Sequence, residues 1–139
     1  MSVLFVLDNN ELDQRIIKLN LLRFPVFKHA LYFYESIKLI KYMKENKDDR
    51  SNLPDVILLD LNMPEFNGWN VLDALQILYP SLCKKPLVYM VSASSMSKNV
   101  NRSLAYPFVK DFIPKPVTRD ILLLIANAYK FKTQNAPGD

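Results

Sequence analysis

Four short strand-like segments each lead into a residue able to do chemistry, and the four residue types complement one another. Asp8 follows Val3-Leu4-Phe5-Val6-Leu7, Asp60 follows Val56-Ile57-Leu58-Leu59, Ser92 follows Leu87 to Val91, and Lys115 comes just after Phe108 to Ile113. One such residue alone is an ordinary cap or turn. Together, one or two carboxylates, a hydroxyl and an ammonium suit phosphoryl transfer. A carboxylate can attack phosphorus and carry the group as an aspartyl phosphate. The phosphoryl oxygens then need a divalent cation, held by carboxylates and carbonyls, and donors in fixed positions. Asp8 is suited to help hold Mg²⁺, Lys115 to neutralise a phosphoryl oxygen and Ser92 to donate a hydrogen bond.

For these residues to meet, the segments must be neighbouring strands whose ends lie on one side. The first three segments are continuously apolar, as in strands buried on both faces, and helical patterns alternate with all four. Leu12, Ile16 and Leu19 predict the apolar face of a first helix, closed by Pro25. A weaker strand over about Lys28 to Tyr34 precedes a helix carrying Ile37, Ile40 and Met43, then a polar loop from Glu45 to Asn52. After Asp60, Asn67-Gly68 reads as a turn, and Val71, Leu75 and Leu78 as a helix ended by Pro80. A short helix over 97–105 follows. The last helix starts at Thr118, which can cap it, carries Asp120 in its first turn and runs to about Lys130.

Five strands alternating with five helices predict an α/β fold, a doubly wound parallel sheet covered on both faces, with right-handed crossovers. In such sheets, sites form outside the carboxyl ends of the strands near the switch point in strand order. The four residues stand at those ends. The sequence divides into one domain over 1–131 and a polar, flexible tail over 132–139.

Composition narrows the function classes. A chain of 139 residues suffices for one domain. Half of it is apolar and its net charge is only +4, so it is not a disordered chain. With two glycines, Gly68 and Gly138, the G-x-G-x-x-G fingerprint and the P-loop are both absent. The one histidine, His29, excludes a His-rich metal site and reads as a surface residue. The one cysteine, Cys83, excludes an internal disulfide. No apolar run approaches the ~18 residues that span a membrane, and the amino terminus lacks a secretory signal, which points to the cytoplasm. Lys38, Lys41, Lys44 and Lys47 drift around a helix, as a solvated face does. No basic stripe is interleaved with aromatics, so neither nucleic acid nor membrane is expected as a partner.

The chain resembles the receiver domain of bacterial two-component response regulators. The likeness rests on Val6-Leu7-Asp8-Asn9-Asn10-Glu11, on Pro54-Asp55-Val56-Ile57-Leu58-Leu59-Asp60-Leu61-Asn62-Met63-Pro64 with Asn67-Gly68, on Val91-Ser92-Ala93 and on Lys115-Pro116. These segments keep the family's order and spacing over about residues 2–131. The resemblance implies a five-stranded sheet of flavodoxin-like order 2-1-3-4-5. It implies that Asp60 takes a phosphoryl group from a phosphohistidine of a histidine kinase or histidine phosphotransfer protein. Lys115 would pair with that group, and the Lys115-Pro116 bond would be cis. Ser92 would move towards it, and Phe112 would be the aromatic that rotates inward behind. Mg²⁺ would be held by Asp8, residue 9, Asp60 and the backbone carbonyl of Asn62. Such a receiver signals through a population shift. It is not an enzyme in its own right and assists only its own phosphotransfer and dephosphorylation. No output domain is expected here, so output would pass to a partner over about 97–130.

Asn9 departs from the family pattern. The family carries two adjacent acids after the first strand, and Asn9 stands where the second, a direct metal ligand, belongs. An amide oxygen can ligate Mg²⁺, but one charge is lost, and unit charges 4 Å apart interact by about 4 kcal/mol at moderate screening. A weakened Mg²⁺ site and slower phosphorylation are expected. The alternative is a phosphorylation-independent pseudo-receiver, an interaction module of the same fold. A haloacid-dehalogenase-like phosphatase also uses an aspartate nucleophile, but it needs a second aspartate where Asn62 stands.

Overall fold

In the computed structural model, residues 2–61, 63, 67–93 and 102–135 are described, with side chains as far as 130. The elements are β1 (Val3–Leu7), α1 (Glu11–Arg23), β2 (His29–Phe33), α2 (Ser36–Glu45), β3 (Val56–Asp60), α3 (Gly68–Leu78), β4 (Leu87–Ser92), β5 (Val109–Pro114) and α4 (Arg119–Asn135). A single 3₁₀ turn, Tyr79–Ser81, ends α3 where Pro80 removes a backbone donor. All five strands pair in parallel in the order β2-β1-β3-β4-β5. The chain leaves β1 towards β2 on one side and returns to β3 on the other. The crevice between the carboxyl ends of β1 and β3 is therefore the switch point.

The central strands β1, β3 and β4 are apolar almost to their ends because alternate residues feed two different cores. Val3, Phe5 and Leu7 of β1, with Ile57 and Leu59 of β3 and Val88 and Met90 of β4, pack against Leu39, Ile40 and Met43 of α2 and Val71, Leu72 and Leu75 of α3. The intervening Leu4, Val6, Val56, Leu58, Tyr89 and Val91 pack against Ile17 of α1 and Leu122 and Ile125 of α4. At ~25 cal/mol per Å² of apolar surface, each fully buried Leu or Ile adds roughly 2 kcal/mol before conformational entropy is counted.

Three expectations change. The inward face of α1 is not Leu12, Ile16 and Leu19: Leu12 and Leu19 are exposed, while Gln14 and Ile17 are buried. The Gln14 amide donates to the carbonyls of Val6, Asp8 and Phe33 at 3.5, 3.1 and 2.9 Å. Unmet carbonyls at two buried strand ends are costly, and satisfying them turns the helix away from its leucine stripe. On α2, Ile37 is exposed and Leu39 takes its place beside Ile40 and Met43. The last helix, α4, continues to Asn135 rather than stopping near Lys130, so residues 132–135 are helical. Of the five helices expected, four are present among the described residues. The helix expected over 97–105 falls mostly outside them, with Arg102 and Ser103 helical where the description resumes.

Candidate functional site

Asp8 comes directly after β1, and the backbone there sets its geometry. Its N–H donates to the Phe33 carbonyl at 3.0 Å, and its Oδ1 accepts the Asn10 N–H at 2.8 Å. Oδ2 is thereby left facing the sheet edge. Asn10 is in turn the N-cap of α1, its side chain accepting the Asp13 N–H at 3.0 Å. This turn and cap bring the first turn of α1 beside the end of β1.

Asp60 is the last residue of β3 and is almost fully buried. Its backbone is pressed from behind by the start of α3. A Cβ added to Gly68 would lie 2.8 Å from both the Asp60 carbonyl oxygen and Leu61 Cα, so only glycine allows this approach. An Asn67–Asn70 capping box fixes the start of α3 against that position. Ser92, wholly buried at the end of β4, accepts the Lys115 N–H on its carbonyl at 3.0 Å. The Lys115-Pro116 peptide is cis, as the resemblance implies.

Lys115 is where these elements converge. Its Nζ lies 2.7 Å from Asp13 Oδ2, 3.1 Å from Asp8 Oδ2 and 3.4 Å from Asp60 Oδ1. An ammonium has three N–H groups, and here three carboxylates surround them. Partial burial alone would lower the Lys115 pKa. The hydrogen bond it donates to Asp13 and the charges of Asp8 and Asp60 outweigh that and hold it above its ordinary value.

The structure thus brings together Asp8, Asp60 and Lys115, with Ser92 on the adjoining strand end. Phe112 lies on the edge strand β5, opposite Met90, half-buried against the α2/α3 core. Asn9 is exposed. Asn62 lies outside the described residues. Asp13 was not among the residues singled out from the sequence. Its signal was weak, since an acid in the first turn of a helix is ordinarily explained by the helix dipole.

The donor set suits a hard divalent cation. One oxygen of Asp8 and one of Asp60 face the same ammonium, so a single ion could be reached by both, and Mg²⁺ is commonly held by one or two carboxylates with water completing its shell. Among the described residues no group of three His, Cys, Asp or Glu is placed to hold a metal. The site is one of two carboxylates.

The comparisons with known proteins agree with this fold. The profile of the response regulator receiver domain family matches residues 4–127. The DNA-binding transcriptional regulator NtrC of Proteus hauseri is 33% identical over 91 residues, which make up 64% of this chain and 18% of that protein. The matched stretch is thus less than a fifth of that relative. A response regulator receiver protein from Dyadobacter fermentans superposes with a TM-score of 0.75 at 20% identity, covering 92% of this chain and 97% of the other. The receiver domain of the histidine kinase CKI1 from Arabidopsis thaliana, solved complexed with Mg²⁺, gives 0.75 at 16% identity, with 94% and 90% covered.

Proposed function

This chain belongs to the response regulator receiver domain family, and on that premise we propose that it is a phosphoacceptor switch of a two-component or phosphorelay system, with Asp60 as the acceptor. The observation that carries the reading is the convergence of Asp60, Asp8 and Lys115 at the switch point of the sheet. A carboxylate oxygen of Asp60 attacks the phosphorus of a phosphohistidine on a histidine kinase or phosphotransfer protein. The P–N bond breaks, the donor imidazole leaves with the electron pair, and an acyl phosphate forms on Asp60. Lys115 pairs with a phosphoryl oxygen, and the Ser92 hydroxyl donates a hydrogen bond to another. Asp8 and Asp60, with the Asn9 amide and the Asn62 carbonyl as further donors, would hold Mg²⁺, which would supply neutralisation of phosphoryl charge. Loss of an acid at residue 9 weakens that site. The shared fold of the Mg²⁺-complexed plant receiver supports the choice of ion.

Output passes to a protein partner over about 97–130. Exposed Leu104, Leu123 and Leu124 in that stretch support the surface. Phe112, half-buried on β5, is the residue through which the site and that surface would communicate. No helix among the described residues is long and apolar enough to cross a membrane.

Intact mass after incubation with acetyl phosphate, with and without Mg²⁺, tests the reading on the native chain and on Asp60→Ala. The expected result is a Mg²⁺-dependent gain of one alkali-labile phosphoryl group, lost in the variant. No gain in the native chain, restored by Asn9→Asp, would instead favour a phosphorylation-independent interaction module.

A further inference from the structure

We propose that Asp13 is a positioning residue of this site: it draws the Lys115 ammonium towards α1, nearer than to Asp60, and so loosens its hold on the Asp8 and Asp60 oxygens that a divalent cation would need. The inference rests on the reading of Asp60 as phosphoacceptor.

Two independent observations carry it. The first is the order of distances. Asp13 is the nearest partner of Lys115 at 2.7 Å, and Asp60 is the farthest at 3.4 Å. The lysine of the site is therefore held most closely by a helix residue while it still pairs with the acceptor. The second is the cap of α1. In a capping box, the acid three residues after the N-cap reaches back to the N-cap N–H. Here Asp8 Oδ1 takes that N–H from Asn10, while the Asn10 side chain takes the Asp13 N–H. The Asp13 carboxylate is thereby released from capping and turns to Lys115.

The consequence is electrostatic. Lys115 and a divalent cation compete for the same oxygens of Asp8 and Asp60. With no third carboxylate, the ammonium would settle between those two and shut the cation out. Asp13, only partly exposed with 28% of its side-chain surface accessible, offers a better-placed alternative. It also returns to the site a negative charge of the kind that Asn9 lacks, delivered through Lys115 from α1 rather than from the loop after β1.

Mg²⁺ affinity, measured by titration calorimetry on the unphosphorylated chain, tests the proposal without reference to activity. Asp13→Asn should weaken Mg²⁺ binding by about fivefold or more, and Asp13→Glu should keep it within about twofold. In a Lys115→Met background the same Asp13→Asn change should alter affinity by less than about twofold, because the group that Asp13 restrains is gone. An equal loss in both backgrounds would overturn the proposal, since Asp13 would then act directly through space. No loss in the native background would overturn it as well. Phosphorylation by acetyl phosphate, followed in parallel, separates the two readings. A native chain that binds Mg²⁺ and gains a phosphoryl group, with Asp13→Asn indistinguishable from it, sinks only the role of Asp13. A native chain that does neither sinks the reading of Asp60 itself.

Discussion

At the scale of single residues, Lys115 sets how the site responds to pH. Its folded-state pKa is held above the ordinary 10.5, despite partial burial, by the carboxylates of Asp13, Asp8 and Asp60. A group raised in this way stabilises the fold fully below its unfolded value, and its contribution is lost as pH rises through the folded one. Lys115 thus contributes in full at neutral pH. Lys115→Met should lower the melting temperature at pH 7 by several degrees, because it strands buried carboxylates without a counter-ion. The gap to the native chain should then narrow above about pH 10.5, where the lysine of the unfolded chain gives up its proton while the folded one must keep it. Thermal melts at intervals from neutral pH to about pH 12 check this, and a constant gap would mean that Lys115 acts by packing alone. Asp8, Asp60 and Ser92 are legible in the sequence as the polar residues that end runs which must be buried, whereas Lys115 follows a mixed edge strand and stands out through the neighbouring Pro116. Asp13 is not legible, because its role depends on which face α1 turns inward.

Helix α1 shows the same limit at the scale of elements. Leu12, Leu19 and Leu22 are 64%, 53% and 80% exposed, whereas Ile17 is 3% exposed. Sequence periodicity favours the leucine stripe as the buried face, since an apolar stripe at helical spacing is the usual mark of one. The stripe lost to Gln14, whose amide meets three strand-end carbonyls that no leucine could satisfy. Two consequences are measurable. In urea unfolding, Leu19→Ala and Leu22→Ala should each shift stability by no more than about 0.5 kcal/mol, while Ile17→Ala should cost roughly 2–4 kcal/mol. Leu12 stands one residue from Asp13, on the exposed side of the helix. Leu12→Ala should slow transfer from a phosphohistidine protein while leaving transfer from acetyl phosphate unchanged. Equal slowing with both donors would remove Leu12 from the partner surface.

Across the whole molecule, the end of the sheet opposite the site is fastened by one carboxylate. Asp55, just before β3, accepts the Val3 N–H at 2.7 Å and the Tyr129 hydroxyl at 2.6 Å, and its Oδ1 lies 3.2 Å from Lys84 Nζ. It joins β1, α4 and the turn before β4. Burial, then the hydrogen bond and charge of Asp55, push the Tyr129 phenol above its ordinary pKa. Asp55→Asn leaves Lys84 without its charged partner, and breaking such a buried pair costs about 3–5 kcal/mol. Urea unfolding should show that loss. The folded fraction should still take up a phosphoryl group at the native rate, because Asp55 and Asp60 lie at opposite ends of β3. A slowed rate in fully folded protein would mean that the two ends of the sheet are coupled.

The strands, their parallel pairing and the polar residues that close the central strands follow from the sequence. A buried strand must be apolar on both faces, and whatever follows it must emerge at the sheet edge. Asp8, Asp60 and Ser92 can be read from that rule without coordinates. Which face of α1 and of α2 turns inward, and with it the reach of a third carboxylate, Asp13, to Lys115, is set by tertiary contacts. That choice depended on carbonyls at the ends of β1 and β2 finding a donor in Gln14, and no local pattern records where such groups will meet.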